Sequence, residues 1–212
     1  MAYFGLDLTA SEKRPSAYAV LNRQGQLESW GTLRTDDDIL FRVPAIGAST
    51  VAMDCPLGLP LGLDCLEETH SCKPASPLKG RLCERELARR GIPCYFTTKR
   101  SIIKAMVYRG MALKDAFARR GVEVLEVYPY AVKVTLWGKA IPKKTTHKGI
   151  AFLRERLSEL VPEVASCRDR LTHDLCDALL AAYTAYLHGQ GRTERLGIEE
   201  EVEIVVPKAG ER

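Results

Sequence analysis

The segment THDLCDALLAAY, residues 172–183, constrains the fold most strongly, because it places two carboxylates in an otherwise almost wholly apolar run. Helical periodicity extends to Leu187, and an apolar surface this broad predicts a helix buried in the core. Asp174 and Asp177 lie three residues apart and therefore share one face of that helix. The helix dipole can explain Asp174, which follows the predicted N-cap Thr172. Asp177 lies beyond the cap among apolar neighbours and needs another explanation.

Short strands and helices alternate along the rest of the chain. Strands are predicted at 3–8, 17–21 and 27–33, and the tetrapeptide RQGQ joins the last two as a hairpin. A helix at 35–46 and a small buried strand at 50–53 follow. Further helices are predicted at 78–90, 101–120, 147–160 and 172–187, and further strands at 122–128 and 201–206. This order predicts an α/β fold, in which helices cover a mixed β-sheet.

The length of 212 residues is sufficient to bury a full core and predicts a single domain, 1–212. Residues 61–120 are too many for an ordinary connection, so we expect an inserted subregion of loops and helices at one edge of the core. We expect no secretion signal, because MAYFGLDLTASEKRP lacks a positive n-region followed by a long apolar run, and no apolar run of 18 residues occurs later. These features predict a soluble, cytoplasmic protein without a membrane segment.

The seven cysteines are scattered without a CxxC pair, which predicts reduced thiols. Cys65, His70, Cys72 and Cys83 are close enough in sequence for a zinc site to be imagined. Their spacings match no common zinc motif, however, and a loop with ordinary cysteines is the preferred interpretation.

Positive charge is concentrated in the middle of the chain, although the net charge is only +4. Residues 73–148 contain 18 Lys and Arg against 5 Asp and Glu, whereas the rest of the chain contains 13 against 22. Clustered Lys and Arg favour an anionic partner, of which nucleic acid is the commonest. A basic surface that is merely solvated explains the charge equally well.

Four basic residues are candidates for binding substrate phosphate. Arg81 and Arg85 are one turn apart on a predicted helix, and Lys143 and Lys144 are adjacent in a loop. The alternatives are an ion pair between the arginines and neighbouring glutamates, and solvated lysines.

Three further acids lie where predicted strands end: Asp7 in YFGLDL, Asp54 in VAMDCP and Glu126 in VLEVYP. Ligands of open sheets gather near the carboxyl ends of strands. We therefore expect these three acids to meet Asp174 and Asp177 in one crevice, as five candidate catalytic residues.

Such a cluster needs a counter-charge, since two unit charges 4 Å apart repel by about 4 kcal/mol at an effective dielectric of 20. Mg²⁺ or Mn²⁺ would supply it, and hard oxygen ligands suit these ions. We predict Asp7, Asp54, Asp174 and Asp177 as metal ligands. In the alternative interpretation, Asp7 hydrogen-bonds the next turn, Asp54 caps the PLGLP loop and Glu126 pairs with a basic residue of the insert.

Several segments together resemble a known family. In chain order, GLDLTASEKRPSAYAVL, VAMDCPLGLP, RLCERELARRGIPCYFTT, EVYPYA and THDLCDALLAAYTA resemble the domain-of-unknown-function 429 family, described as predicted nucleases of the ribonuclease H fold. HDLCDALLAA also looks like the final-helix motif of Holliday-junction resolvases, which are members of the ribonuclease H-like superfamily. The resemblance implies a sheet of three antiparallel strands followed by parallel strands.

The resemblance also implies roles for individual acids. Asp7 and Asp54 correspond to the first two metal-binding acids, and Asp174 or Asp177 corresponds to the acids of the late helix. Glu126 lies at a strand end where many superfamily nucleases have no ligand. Resolvase-like members often act as dimers, which implies a possible homodimer.

Three functions follow as hypotheses. The first is a nuclease that hydrolyses DNA or RNA with two Mg²⁺ or Mn²⁺ ions, which activate water and stabilise the leaving oxygen. The second is a phosphotransferase or ATPase of the actin-like type, because GLDLT resembles the first phosphate-loop strand of that related fold; the chain is short for such a protein and lacks a second glycine-rich loop. The third is a non-catalytic module that binds nucleic acid.

Overall fold

The computed structural model describes residues 2–210, which form one seven-stranded sheet flanked by helices. The strands are β1 (Ala2–Asp7), β2 (Ser16–Leu21), β3 (Leu27–Leu33), β4 (Ala48–Met53), β5 (Glu123–Val127), β6 (Thr193–Leu196) and β7 (Ile204–Pro207). The α-helices are α1 (Asp36–Ala45), α2 (Leu82–Arg89), α3 (Lys104–Ala118), α4 (Pro129–Trp137), α5 (His147–Leu160) and α6 (His173–Gly189). The bounds of the predicted domain, residues 1 and 212, lie outside the described residues.

The strand order is β3-β2-β1-β4-β5-β7-β6. The first three strands are mutually antiparallel, and β1, β4, β5 and β7 are parallel to one another in turn. β6 pairs antiparallel with β7 and closes the sheet at that edge. The predicted α/β fold is therefore confirmed, and so is the implied sheet of three antiparallel strands followed by parallel ones.

Two elements were not predicted from the sequence. Pro129 indicates the end of a strand, but it also occupies the first turn of α4, where its missing N–H costs no hydrogen bond. β6 has the sequence TERL, which shows no apolar alternation because it is a short edge strand. The predicted strand at 201–206 begins later, at Ile204, and lies inside the sheet between β5 and β6.

Helix α6 lies directly on the sheet, as its apolar sequence predicts. Twelve of its 17 residues are buried. A Cβ atom on Gly5 of β1 would lie 2.0 Å from the carbonyl oxygen of Ala178, so only glycine permits this close approach. The contact fixes the N-terminal turns of α6 beside the carboxyl end of β1.

The opposite face of the sheet is covered by α1 and α3. Phe4 and Met53 of the sheet pack there with Ile39 of α1 and with Leu113 and Phe117 of α3. Within the region predicted as an insert, α3 thus belongs to the layer that covers the sheet. The part before it consists of irregular chain and the short helix α2. Among the described residues, no helix has both the length and the apolar character needed to cross a bilayer.

Candidate functional site

The strand register places Asp7 and Asp54 side by side at the carboxyl edge of the sheet. Leu6 is opposite Met53 in the parallel pair, and the backbone N–H of Asp54 donates to the carbonyl of Leu6 at 2.8 Å. Side chains alternate between the faces of a strand. Gly5 contacts α6, so Asp7, two residues later, also faces α6, and Asp54 faces the same way.

The first turns of α6 bring Asp174 and Asp177 to this edge. The helix begins as predicted at the N-cap Thr172, whose hydroxyl accepts a hydrogen bond from the N–H of Leu175. Asp174 is partly exposed and lies 2.8 Å from Nδ1 of His173. Asp177 is buried, with only 1% of its surface exposed. Four of the five predicted acids therefore meet between the ends of β1 and β4 and the start of α6, and we refer to Asp7, Asp54, Asp174 and Asp177 as the acidic cluster.

Electrostatics make Asp7 and Asp54 difficult to ionise. Burial, followed by the charges of Asp54, Asp177 and Asp174, raises the pKa of Asp7 to about 9. Burial and the charge of Asp177 raise the pKa of Asp54 to about 8, although Lys144 and Lys133 act in the opposite direction. In the part of the chain that the structure describes, neither carboxyl group has a hydrogen-bond donor or an ion-pair partner.

Asp177 differs from these two acids because it has two cationic partners. Nζ of Lys133 donates to one carboxylate oxygen at 2.8 Å, and Nζ of Lys144 donates to the other. Lys133 is buried, whereas 42% of the Lys144 side chain is exposed. Burial opposes the charge of Lys144, but Asp177 outweighs it and raises the pKa of that lysine. Lys133 was not among the predicted site residues, because the helix that carries it, α4, was not predicted.

The carboxylates of the acidic cluster have the chemistry that a hard divalent cation prefers, but in this conformation no three of their oxygens, one from each residue, lie within 4.8 Å of one another. Asp7, Asp54 and Asp174 offer carboxylate oxygens, the ligands that Mg²⁺ and Mn²⁺ prefer. Burial and the charges of neighbouring aspartates raise the pKa values of Asp7 and Asp54, and a bound cation would oppose both effects. Asp177 is already neutralised by lysines and could act as a ligand only if Lys144 moved away.

Glu126 is separated from the acidic cluster by the alternation of strand side chains. It is opposite Met53, the neighbour of Asp54 in sequence, and therefore points to the other face of the sheet. There its carboxylate accepts two hydrogen bonds from Arg81, at 2.5 and 2.7 Å, and one from the N–H of Leu57 at 2.7 Å. The alternative considered for Glu126, an ion pair with a basic residue of the insert, describes its position in the structure.

The predicted phosphate-binding residues occupy different environments. Arg81 is 1% exposed and is held by Glu84 and Glu126, so its guanidinium is not available to a substrate in this conformation. Arg85 is partly buried and donates to the carbonyl of Gly80 at 2.6 Å. Lys143 is exposed. The ion pair between Arg81 and Glu84 is the alternative anticipated from their spacing, but it lies in the interior.

A crevice of about 450 Å³ lies beside the acidic cluster. The residues that line it include Asp54, Asp177, Lys143 and Lys144. Tyr95, which is 67% exposed, and Tyr128 contribute aromatic surface. Sequence reasoning did not find these tyrosines, since nothing in a loop such as YFTT indicates which strand end it will approach.

Comparison with known proteins gives a family. RuvC from Thermus thermophilus has a similar structure, with a TM-score of 0.49 and 13% sequence identity over 90% of this chain and 97% of that chain. No curated protein sequence matches. The family described as "Protein of unknown function (DUF429)" matches residues 5–202. The chain therefore belongs to the DUF429 family.

Proposed function

We propose that this protein is a divalent-metal-dependent nuclease that hydrolyses phosphodiester bonds in DNA or RNA. The observation that carries the proposal is the acidic cluster, in which two partly buried aspartates at adjacent strand ends lack an internal partner. A position this unfavourable for carboxylates is typical of a functional site rather than of a stabilising one.

Asp7 and Asp54 would hold Mg²⁺ or Mn²⁺ together with Asp174. The ion, when bound, would lower the pKa of water and stabilise developing charge on phosphate oxygens. Lys133 holds Asp177 at a fixed position beside these ligands. Lys144 lines the crevice and is partly exposed, so a phosphate could engage it when it releases Asp177.

The crevice has the surfaces that a nucleic acid requires. Lys143 and Lys144 can contact backbone phosphates. The exposed ring of Tyr95 can stack on a base, an interaction worth about 1 to 3 kcal/mol that does not depend on sequence. Arg81, Arg109 and Lys133 contribute to the basic middle of the chain but are buried, so the surface available to nucleic acid is less positive than the sequence suggests.

The test compares cleavage by the parent protein, Asp7→Asn and Asp54→Asn, with Asp169→Asn as a matched control at a position that is 90% exposed. Labelled single strands, duplexes, DNA–RNA hybrids and branched DNA are incubated with Mn²⁺ or Mg²⁺. Even loss of a residue that supports a metal ligand costs about 10- to 100-fold. We therefore expect the two site variants to lose at least about a hundredfold in cleavage rate and the control to match the parent.

The melting temperature provides a second readout that does not require a known substrate. Mn²⁺ should raise it in the parent and in Asp169→Asn, and much less in Asp7→Asn, because a ligand stabilises only the state that binds it. Absence of cleavage on every substrate, or equal cleavage by parent and site variants, would reject the nuclease proposal. Nucleotide hydrolysis without strand cleavage would instead support the phosphotransferase hypothesis, and metal-independent binding alone would support a non-catalytic module.

A further inference from the structure

The segment between β4 and α2, residues 54–81, contains no helix or strand. Within its outer part, 61–79, Leu66 is the one fully buried residue. An irregular segment of this length in a compact fold needs anchors other than regular secondary structure. Two side-chain hydrogen bonds supply part of the anchoring: the N–H of Leu66 donates to Tyr108 at 2.6 Å, and Lys99 donates to the carbonyl of His70 at 2.5 Å.

Three potential metal ligands converge in this segment. One ligand atom each from Cys65, His70 and Cys72 lies within 4.8 Å of the other two, and among residues 2–210 this is the only such group of three or more His, Cys, Asp or Glu. Both thiols are free and partly exposed, and His70 is exposed, so an ion could reach all three. Cys83, the fourth residue considered from the sequence, is buried in α2 and packs in a separate apolar cluster.

We infer that Cys65, His70 and Cys72 form a zinc site, which fastens the irregular segment. Two thiolates and an imidazole are soft and borderline ligands that suit Zn²⁺, whereas the carboxylates of the acidic cluster suit Mg²⁺ or Mn²⁺. The protein would then carry two metal sites of different chemistry. The zinc site is independent of the proposed nuclease activity.

The residues around the three ligands leave the fourth coordination position of the zinc ion to a water molecule. The two neighbouring glutamates are already engaged: Glu67 contacts Lys104 and Tyr108, and Glu68 pairs with Arg100. The N–H of Cys72 donates to Nδ1 of His70 at 3.4 Å, a long bond that an ion could readily replace. Zinc commonly combines three protein ligands with water in open sites.

The experiment uses full-length protein purified under reducing conditions, stripped with a chelator and then titrated with Zn²⁺ or with Co²⁺ as a spectroscopic probe. We expect one equivalent of zinc per chain, cobalt bands that report tetrahedral thiolate ligation, and a higher melting temperature with Zn²⁺. Cys72→Ser and His70→Gln should each bind at least tenfold more weakly. Cys94→Ser, which alters a partly exposed cysteine outside the cluster, should bind as the parent does.

His70→Gln keeps the interpretation clear if Cys72→Ser fails to fold, because His70 is exposed and its replacement leaves both thiols in place. Equal zinc affinity in the parent and in His70→Gln would overturn the inference. So would a disulfide between Cys65 and Cys72 that persists under reducing conditions, since it would consume both thiolates. Asp7→Asn should leave zinc binding unchanged, which separates failure of this site from failure of the proposed nuclease.

Discussion

Two clusters of charged side chains lie on opposite faces of the sheet, where β4 and β5 end. On one face is the acidic cluster. On the other, Arg81 is enclosed by Glu84 and Glu126, and we refer to these three residues with Thr97 as the arginine cluster. Each cluster contains an acid from one of two adjacent strands. Asp54 of the acidic cluster directly follows β4, and Glu126 of the arginine cluster lies in β5. They differ in how completely their hydrogen-bonding groups are satisfied.

Every carboxylate oxygen of the arginine cluster accepts a hydrogen bond. Glu84 receives bonds from Arg81 and from both the N–H and the hydroxyl of Thr97. Glu126 receives bonds from Arg81 and from the N–H of Leu57. In contrast, within the described residues Asp7 and Asp54 have no such donor.

This contrast distinguishes a structural role from a functional one. A fully satisfied network fixes the insert against β5 and has no capacity left for a ligand. Carboxylates without internal partners are costly to maintain, and a site of that kind is expected where an external ion compensates. Burial of charge alone therefore does not indicate a functional site, whereas a group of carboxylates without donors supports the proposal of one.

Arg81→Met should produce the largest effect on stability. It would leave Glu84 and Glu126 buried without a cation, and breaking a buried ion pair in this way costs about 3 to 5 kcal/mol. Urea unfolding should show this fall in the free energy of unfolding. Arg90→Met is the matched control, because Arg90 pairs with Glu194 at the surface, where a salt bridge contributes about 0 to 1 kcal/mol. Equal losses in the two variants would contradict a structural role for the arginine cluster.

The sequence allowed the fold to be predicted where local patterns determine it. The apolar surface of α6, the hairpin between β2 and β3 and the N-cap Thr172 are local features, and each is found in the structure. β6 and α4 were missed, because a polar edge strand has no distinctive pattern and Pro129 is compatible with either a strand end or a helix start.

The site was predictable only in part, because it depends on register. Asp7 and Asp54 are brought together by pairing of Leu6 with Met53, a contact between distant parts of the chain. Glu126 pairs with Met53, one residue before Asp54. The segment VEVLEVYP does not reveal which of its residues face α6. Strand alternation, applied to the register, explains both the convergence of the aspartates and the exclusion of Glu126.

The two lysines beside Asp177 provide the second test, with a smaller effect. Lys133→Met removes a buried charged hydrogen bond but leaves Lys144 as a partner, so we expect a loss of about 2 kcal/mol in the free energy of unfolding. Lys144→Met removes a cation that is 42% exposed and should cost about 1 kcal/mol or less. Urea unfolding measures both variants.

Mn²⁺ sharpens the comparison of the lysines. If Lys144 competes with the metal for Asp177, its removal should enlarge the increase in melting temperature that Mn²⁺ produces. Lys133→Met should leave that increase close to the parental value, because Lys133 is fixed in the interior. If Mn²⁺ raises the melting temperature of the two variants equally, Lys144 does not compete with the metal for Asp177.

The pH dependence of stability should also distinguish the acidic cluster from the arginine cluster. The pKa values of Asp7 and Asp54 rise from an ordinary 3.8 to about 9 and about 8, so the native state holds protons that the unfolded chain has already released. In chelator-treated protein, stability should therefore fall as pH rises through this interval, by at most about 1.4 kcal/mol per pH unit for each acid.

Removing an acid or adding a metal should reduce this slope. Asp7→Asn eliminates one of the two protonated groups, so its stability should decline less between pH 5 and pH 8 than that of the parent or of the exposed control Asp169→Asn. Saturating Mn²⁺ should flatten the parental profile, because a bound cation favours the ionised carboxylates and replaces the proton as their counter-charge. Urea unfolding at a series of pH values measures the slopes. A parental slope that neither Mn²⁺ nor Asp7→Asn changes would mean that other groups bind the protons, and the acidic cluster would then resemble the arginine cluster in being internally compensated.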